Sequence, residues 1–217
     1  MRARSPRSGW PFIRAIRWWL RHEGGRVIYL LRHGETEFNR EGRYQGAADS
    51  PLTERGQGQS LTCGRILQRH LDGRLPPLWC SPQPRAQVTA GLVARALPPL
   101  DLRLDPRLRE ISMGVWDGLT RAEIESGWPG TRKAHPPRQW MFHAPGGERL
   151  EQVLDRLRAL LADAASLPDV IFVGHGVTGR LLRGLHRNLP LPEALLLDAA
   201  QNAVFALGPD GSETRLD

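Results

Sequence analysis

The chain has 217 residues, 40% of them hydrophobic and 24% charged, which suits one sizeable α/β domain with its own core and excludes two large ones. Of the formal charge of +7, +6 sits in residues 1–26, where seven arginines face Glu23 alone, so residues 27–217 carry only +1 and a generic nucleic-acid surface on the domain is not implied. Cys63 and Cys80 are too few for a disulfide framework or a zinc site and read as small buried hydrophobes of a reducing compartment.

Residues 1–26 are read as a basic N-terminal extension and residues 27–217 as the domain. If Trp10 to His22 is helical, Phe12, Ile13, Ile16, Trp19 and Leu20 form one stripe and Arg14, Arg17 and Arg21 another. That stretch is too short and too charged to span a bilayer, and its arginines interrupt any secretory apolar region. The expectation is a disordered extension, as from a start codon set too far upstream, joined to the domain by Gly24 and Gly25. Contact with an anionic membrane surface and organelle targeting are the alternatives to a plain cytoplasmic protein.

Val27 to Leu31 is a short apolar run, the pattern of a strand buried on both faces. Thr53 is placed to cap a helix reaching about Gln68. Pro77 to Ser81 reads as a second strand, and Arg85 to Ala96 as a helix ended by Pro98 and Pro99. Glu148 to Ala165 carries Leu150, Val153, Leu154, Leu157, Leu160 and Leu161 on one helical face. Asp169 to Gly176 repeats the opening pattern of apolar run, His, Gly; Val177 to His186 is then helical, and Ala203 to Leu207 a last strand. Strands alternating with helices predict a three-layer α/β/α sandwich on a mostly parallel sheet.

Ligands of such folds sit beyond the carboxyl ends of the strands. His33 and His175 each follow an apolar strand there, and meet if the two strands are parallel neighbours. The glycine after each would let the backbone turn and a ligand approach. Arg32, His33, Arg85 and His175 together suit an anion: guanidinium forks hold phosphoryl oxygens, and a neutral imidazole attacks phosphorus. A second imidazole, if protonated, adds charge against the transition state. The leaving alcohol needs a proton from a carboxylic acid of raised pKa. No metal-binding motif appears in the sequence. Taken singly, Arg85 also fits a solvated surface arginine, and Glu110 a surface ion pair with Arg107 or Arg109.

Six stretches in order resemble the histidine phosphatase superfamily, which includes cofactor-dependent phosphoglycerate mutases and many phosphomonoesterases. They are LLRHGETEFN, GRYQGAADSPLTERGQGQS, CSPQPRAQVTA, LREISMGVWDGLT, APGGERLEQVLDRL and FVGHGVTGRLL, spanning about Val27 to Val204. The resemblance implies a phosphoglycerate mutase-like fold with no metal or organic cofactor. It implies His33 as the nucleophile, and Arg32, Arg85 and His175 as holders of the phosphoryl group. Glu110 would be the general acid and base, with Asn39, Gln45 and Gly176 near phosphate or substrate. The implied partner is a small phosphorylated metabolite.

The Gln-Gly form of RYQGAADSPLT and the segment EISMGVWDGLT resemble the phosphatase branch. Mutases carry a longer, arginine-containing insert after the acid that grips the glycerate carboxylate. The shorter stretch here, Thr120 to Ala144, still holds Arg132, Lys133 and Arg138, which keeps a carboxylated or multiply phosphorylated substrate open. Trp116, Trp128, Trp140, Met141 and Phe142 suit either an apolar pocket wall or lid packing. Pro84 departs from the family pattern; it restricts Gln83 to extended conformations and suits a first helical turn. A mutase-like phosphotransferase and a catalytically silent phosphate-binding protein are the other readings. His22, His70, His135, His143 and His186 match no motif and are expected to be structural or solvated.

Overall fold

The structure is a computed structural model and describes residues 26–217. The amphipathic pattern of Trp10 to His22 and the Gly24–Gly25 joint lie outside the described residues. In chain order the regular elements are β1 (Ile28–Arg32), α1 (Glu37–Arg40), α2 (Glu54–Leu71), β2 (Leu78–Cys80), α3 (Pro84–Ala94) and β3 (Leu102–Leu104). They continue with α4 (Arg121–Gly127), α5 (Leu150–Ala164), β4 (Val170–Gly174), α6 (Gly176–His186), α7 (Leu191–Leu196), β5 (Val204–Leu207) and β6 (Glu213–Leu216).

One sheet of six strands runs in the order β3-β2-β4-β1-β5-β6. β1 and β2 flank β4 in parallel and β3 runs parallel to β2. β5 and β6 are antiparallel, so the sheet is mixed with a parallel centre. The apolar runs are buried on both faces because helices cover both. Tyr29, Leu31, Ile171 and Val173 pack with Cys63, Ile66 and Leu67 of α2 and with Ala90 and Val93 of α3. Their alternate neighbours Ile28, Leu30, Val170 and Phe172 pack with Val153, Leu157 and Leu160 of α5 and with Leu181 and Leu182 of α6. The period of two along each strand thus splits the core into the two seams of a three-layer sandwich.

The helices start where the caps place them. Thr53 Oγ1 accepts the Gly56 N–H (3.0 Å), and α2 runs past Gln68 to Leu71, ending on Asp72 in the left-handed region (φ 47°). Pro84 opens α3 behind an extended Gln83 (φ −72°, ψ 134°). Cys63 and Cys80 are both buried and free. Sequence reading missed the two outer strands, β3 and β6. Both are short, and their exposed or charged residues (Leu102, Arg103, Leu104; Glu213, Thr214, Arg215) break the apolar pattern of the inner strands.

Candidate active site

Three strand ends converge at one edge of the sheet. Arg32 pairs in register with Gly174, so His33 and His175 leave β1 and β4 side by side, ring centroids 5.1 Å apart and planes tilted by 57°. On the other side of β4, the Ser81 N–H donates to Val173 O (3.0 Å) just beyond β2. That puts Ser81 Oγ 2.7 Å from His175 Nε2.

His33 is buried, and its Nδ1 lies 2.8 Å from the Gly34 carbonyl oxygen. A carbonyl only accepts, so the proton sits on Nδ1 and the lone pair on Nε2. Burial, reinforced by His175, Arg32 and Arg85, holds this imidazole well below the ordinary histidine pKa, against the Gly34 bond, which favours the charged form. The ring is therefore a neutral base with one free nitrogen. The glycine after it serves packing: a Cβ on Gly34 would lie 2.1 Å from Gly56 O of α2. Gly176 differs, since a Cβ there would meet Arg32 at an ordinary 3.5 Å.

His175 is also buried and also held well below its ordinary pKa, by burial and then by the charges of Arg85, Arg32 and Arg156. The expected option of a protonated second imidazole does not hold in this environment. Ser81 Oγ accepts from the Gln83 N–H (3.3 Å) and keeps both its proton and a second lone pair for His175 Nε2. His175 Nδ1 is a buried atom with no partner.

Arg85 is buried, not solvated, at 2% exposure. Its Nη1 donates to Ala48 O (2.8 Å) and Asp49 Oδ1 (2.9 Å), and its Nη2 to Gly46 O (2.9 Å). Arg32 Nη1 donates to Ala199 O (3.0 Å). The Nε atoms of Arg32 and Arg85 are buried without partners. One N–H of each guanidinium thus lacks a partner, and both arginines share a cavity with the free imidazole nitrogen of His33. Unpaired buried donors are costly, and an oxyanion would satisfy them.

Glu110 makes neither surface pair open to it in the sequence: Arg107 is engaged by Asp105 and Asp163, and Arg109 by Glu148. Its carboxylate instead caps α6. Oε2 accepts the Val177 N–H (2.9 Å), and Oε1 accepts the Thr178 N–H (2.9 Å) and hydroxyl (3.0 Å). The expected raised pKa is not found. Burial pushes the carboxyl up, but the Val177 and Thr178 N–H groups, Arg85 and the Ile111 N–H together bring it below the ordinary value. Gln83 ties the two sides of the site together: its Oε1 accepts the Glu110 N–H (2.7 Å) and its Nε2 donates to Gly46 O (2.9 Å).

These groups open into a cavity of about 620 Å³. Arg32, His33, Asn39, Gln45, Arg85, Glu110 and Gly176 all line it, and His175 stands behind them against His33. Asn39 Oδ1 accepts from Gln201 Nε2 (2.9 Å). Gln45 Nε2 donates to the Thr36 and Ser50 hydroxyls while its Oε1 is buried without a partner. Of the aromatic cluster, Trp140 and Met141 reach the cavity, whereas Trp116 and Phe142 pack into the core. Arg132 and Arg138 line the cavity; Lys133 does not.

Sequence reasoning missed Arg43, Arg180 and His135 as cavity residues and Ser81 and Gln83 as their supports. Arg180 had a signal: it stands four residues after Gly176, on the same face of α6. His135 stacks on His143 at 3.7 Å at the cavity wall, an arrangement with no local sequence signature. Among the described residues, no group of three His, Cys, Asp or Glu side chains could hold a metal ion, and no helix is long and apolar enough to cross a membrane.

The chain is 37% identical over 158 residues, 69% of each protein, to the probable phosphoglycerate mutase GpmB of Salmonella choleraesuis. It superposes with TM-score 0.70 and 30% identity on mycobacterial glucosyl-3-phosphoglycerate phosphatase in a complex with VO3, covering 88% of this chain and 97% of that one. At 24% identity, a putative alpha-ribazole-5'-P phosphatase from Escherichia coli shares the fold, with TM-score 0.76 over 88% of this chain and 94% of that one. The family model of the histidine phosphatase superfamily (branch 1) matches residues 28–217. The chain belongs to the histidine phosphatase superfamily.

Proposed function

We propose that the chain is a phosphomonoester hydrolase that works through a covalent phosphohistidine on His33. The observation that carries this reading is the free Nε2 of a neutral, buried His33 in one cavity with Arg32, Arg85 and Glu110.

In the first step the Nε2 lone pair forms a bond to phosphorus as the P–O ester bond breaks. The leaving oxygen takes a proton from the Glu110 carboxyl. Glu110 is ionised before substrate arrives, so the incoming dianion must raise its pKa for it to bring that proton. In the second step the Glu110 carboxylate takes a proton from water, the water oxygen bonds to phosphorus, and the N–P bond breaks to release phosphate. Arg32, Arg85 and the His175 N–H stabilise the equatorial oxygens in both steps. The substrate is a small phosphorylated metabolite, and the reaction is proposed to proceed without a metal.

A phosphotransferase reading is favoured by the name of the sequence relatives. It differs in the second step only, where a substrate hydroxyl takes the place of water. Phosphate release from p-nitrophenyl phosphate by wild type and His33→Ala, with chelator present, tests the hydrolase. Release should fall by about two orders of magnitude or more in the variant. Near-normal release by His33→Ala contradicts the mechanism.

A further inference from the structure

Glu110 lies in an irregular stretch, so no strand or helix bond fixes its backbone. Its N–H donates instead to a side chain, Gln83 Oε1, at 2.7 Å. The other end of that amide, Nε2, donates to Gly46 O at 2.9 Å. A backbone N–H only donates and a carbonyl only accepts, so the amide has a single orientation here. Gly46 O also accepts from Arg85 Nη2 (2.9 Å). One glutamine therefore joins the backbone of Glu110 to the loop that holds Arg85.

The local sequence builds this reach. Gln83 stands at the N-cap of α3, where a side chain ordinarily bonds the first helical N–H groups, yet Gln83 makes no such bond. Pro84 keeps it extended (φ −72°, ψ 134°), and both ends of its amide are spent across the site. Gly46 takes a left-handed backbone (φ 51°), and a Cβ there would lie 1.6 Å from Asp117 Oδ1, so only glycine lets the loop come this close. Asp117 makes a second tie across the same gap: its carboxylate accepts the Met113 N–H (2.8 Å) and the Ala47 N–H. Gln83 does not itself line the cavity.

Glu110 thus has two anchors of different kinds. The carboxylate is held by the Val177 and Thr178 N–H groups of α6, and those bonds weaken when the carboxyl carries a proton. The bond to Gln83 is made by the backbone and does not depend on that proton. We propose that Gln83 is the positioning residue for both Glu110 proton transfers, holding the Glu110 backbone in register with Arg85 while the carboxyl group changes protonation state. This rests on the phosphomonoester reading of the site.

Gln83→Met keeps length and volume and removes both hydrogen bonds. The Asp117 tie remains, and Arg85 keeps its bonds to Ala48, Asp49 and Gly46. Affinity for inorganic phosphate, read by calorimetry, should therefore change by about twofold or less. The kcat/KM should depend on the leaving group. With phenyl phosphate, whose basic leaving oxygen needs the proton, it should fall about tenfold or more; with p-nitrophenyl phosphate, about threefold or less. Glu110→Gln completes a double-mutant cycle. In that background Gln83→Met should lower kcat/KM for phenyl phosphate by a further factor of about two or less, since no proton is left to position. An equal loss on the two esters overturns the assignment. So does a full-sized Gln83→Met effect in the Glu110→Gln background, or a phosphate affinity that falls in parallel with kcat/KM. Wild-type release from p-nitrophenyl phosphate, measured alongside, reports separately on the phosphatase reading.

Discussion

Glu110 is bound to Thr178 twice, through the backbone N–H at 2.9 Å and the hydroxyl at 3.0 Å. The proposed acid and base is thus also the cap of α6, the helix that begins beside His175. One carboxylate fixes the helix start and serves the chemistry, which is why it rests in the ionised form.

Glu110→Gln keeps much of the cap and loses the proton. With p-nitrophenyl phosphate, whose leaving group needs little protonation, phosphorylation of His33 should survive while water activation fails. Stopped-flow should show a burst of about one nitrophenolate per active site, then turnover slower by about 10²-fold or more. Steady-state release with no burst would place Glu110 outside the second step.

Acid should destabilise the fold through its buried imidazoles. His33 and His175 titrate below the ordinary value of 6.5 when folded, so below that pH the unfolded chain binds more protons. Their contribution is full above about pH 6.5 and is lost as pH falls, at up to about 1.4 kcal/mol per pH unit for each ring. His186 acts in the same direction. Glu110 is depressed as well, and its contribution is lost at lower pH, from about 4.5 downward. Denaturant melts from pH 7.5 to 5 should show this loss, and His175→Gln should make it shallower by one ring. A flat profile would contradict neutral burial.

A Ser81 hydroxyl that donates to His175 Nε2 places the His175 proton on Nδ1. Ser81→Ala should weaken binding of inorganic phosphate by about tenfold, the loss of one charge-assisted hydrogen bond, while Ser81→Thr restores most of it. Isothermal titration at pH 7.5 reads this directly. Unchanged affinity in Ser81→Ala would mean that His175 Nδ1 does not face the anion.

Much of this arrangement was legible in the chain. Wholly apolar runs before His33 and His175 mark strands covered on both faces, and parallel neighbours of that kind end at one edge. Six ordered matches then pointed to Arg85 and Glu110 at distances no local pattern spans. What escaped was set by tertiary contact. The depressed Glu110 follows from N–H groups 67 and 68 residues away. The Gly34 requirement comes from α2, and the carbonyls that hold Arg85 and Arg32 are backbone atoms, blind to side-chain identity.

The central claim is a phosphoryl group on His33 Nε2. Mixing wild type with p-nitrophenyl phosphate, quenching in alkali within milliseconds and mapping the digest by mass spectrometry tests it most directly. The mechanism predicts one acid-labile, alkali-stable phosphoryl group on the peptide containing His33, stronger in Glu110→Gln and absent in His33→Ala. A phosphoryl group on another residue, or none in Glu110→Gln while phosphate is still released, would contradict it.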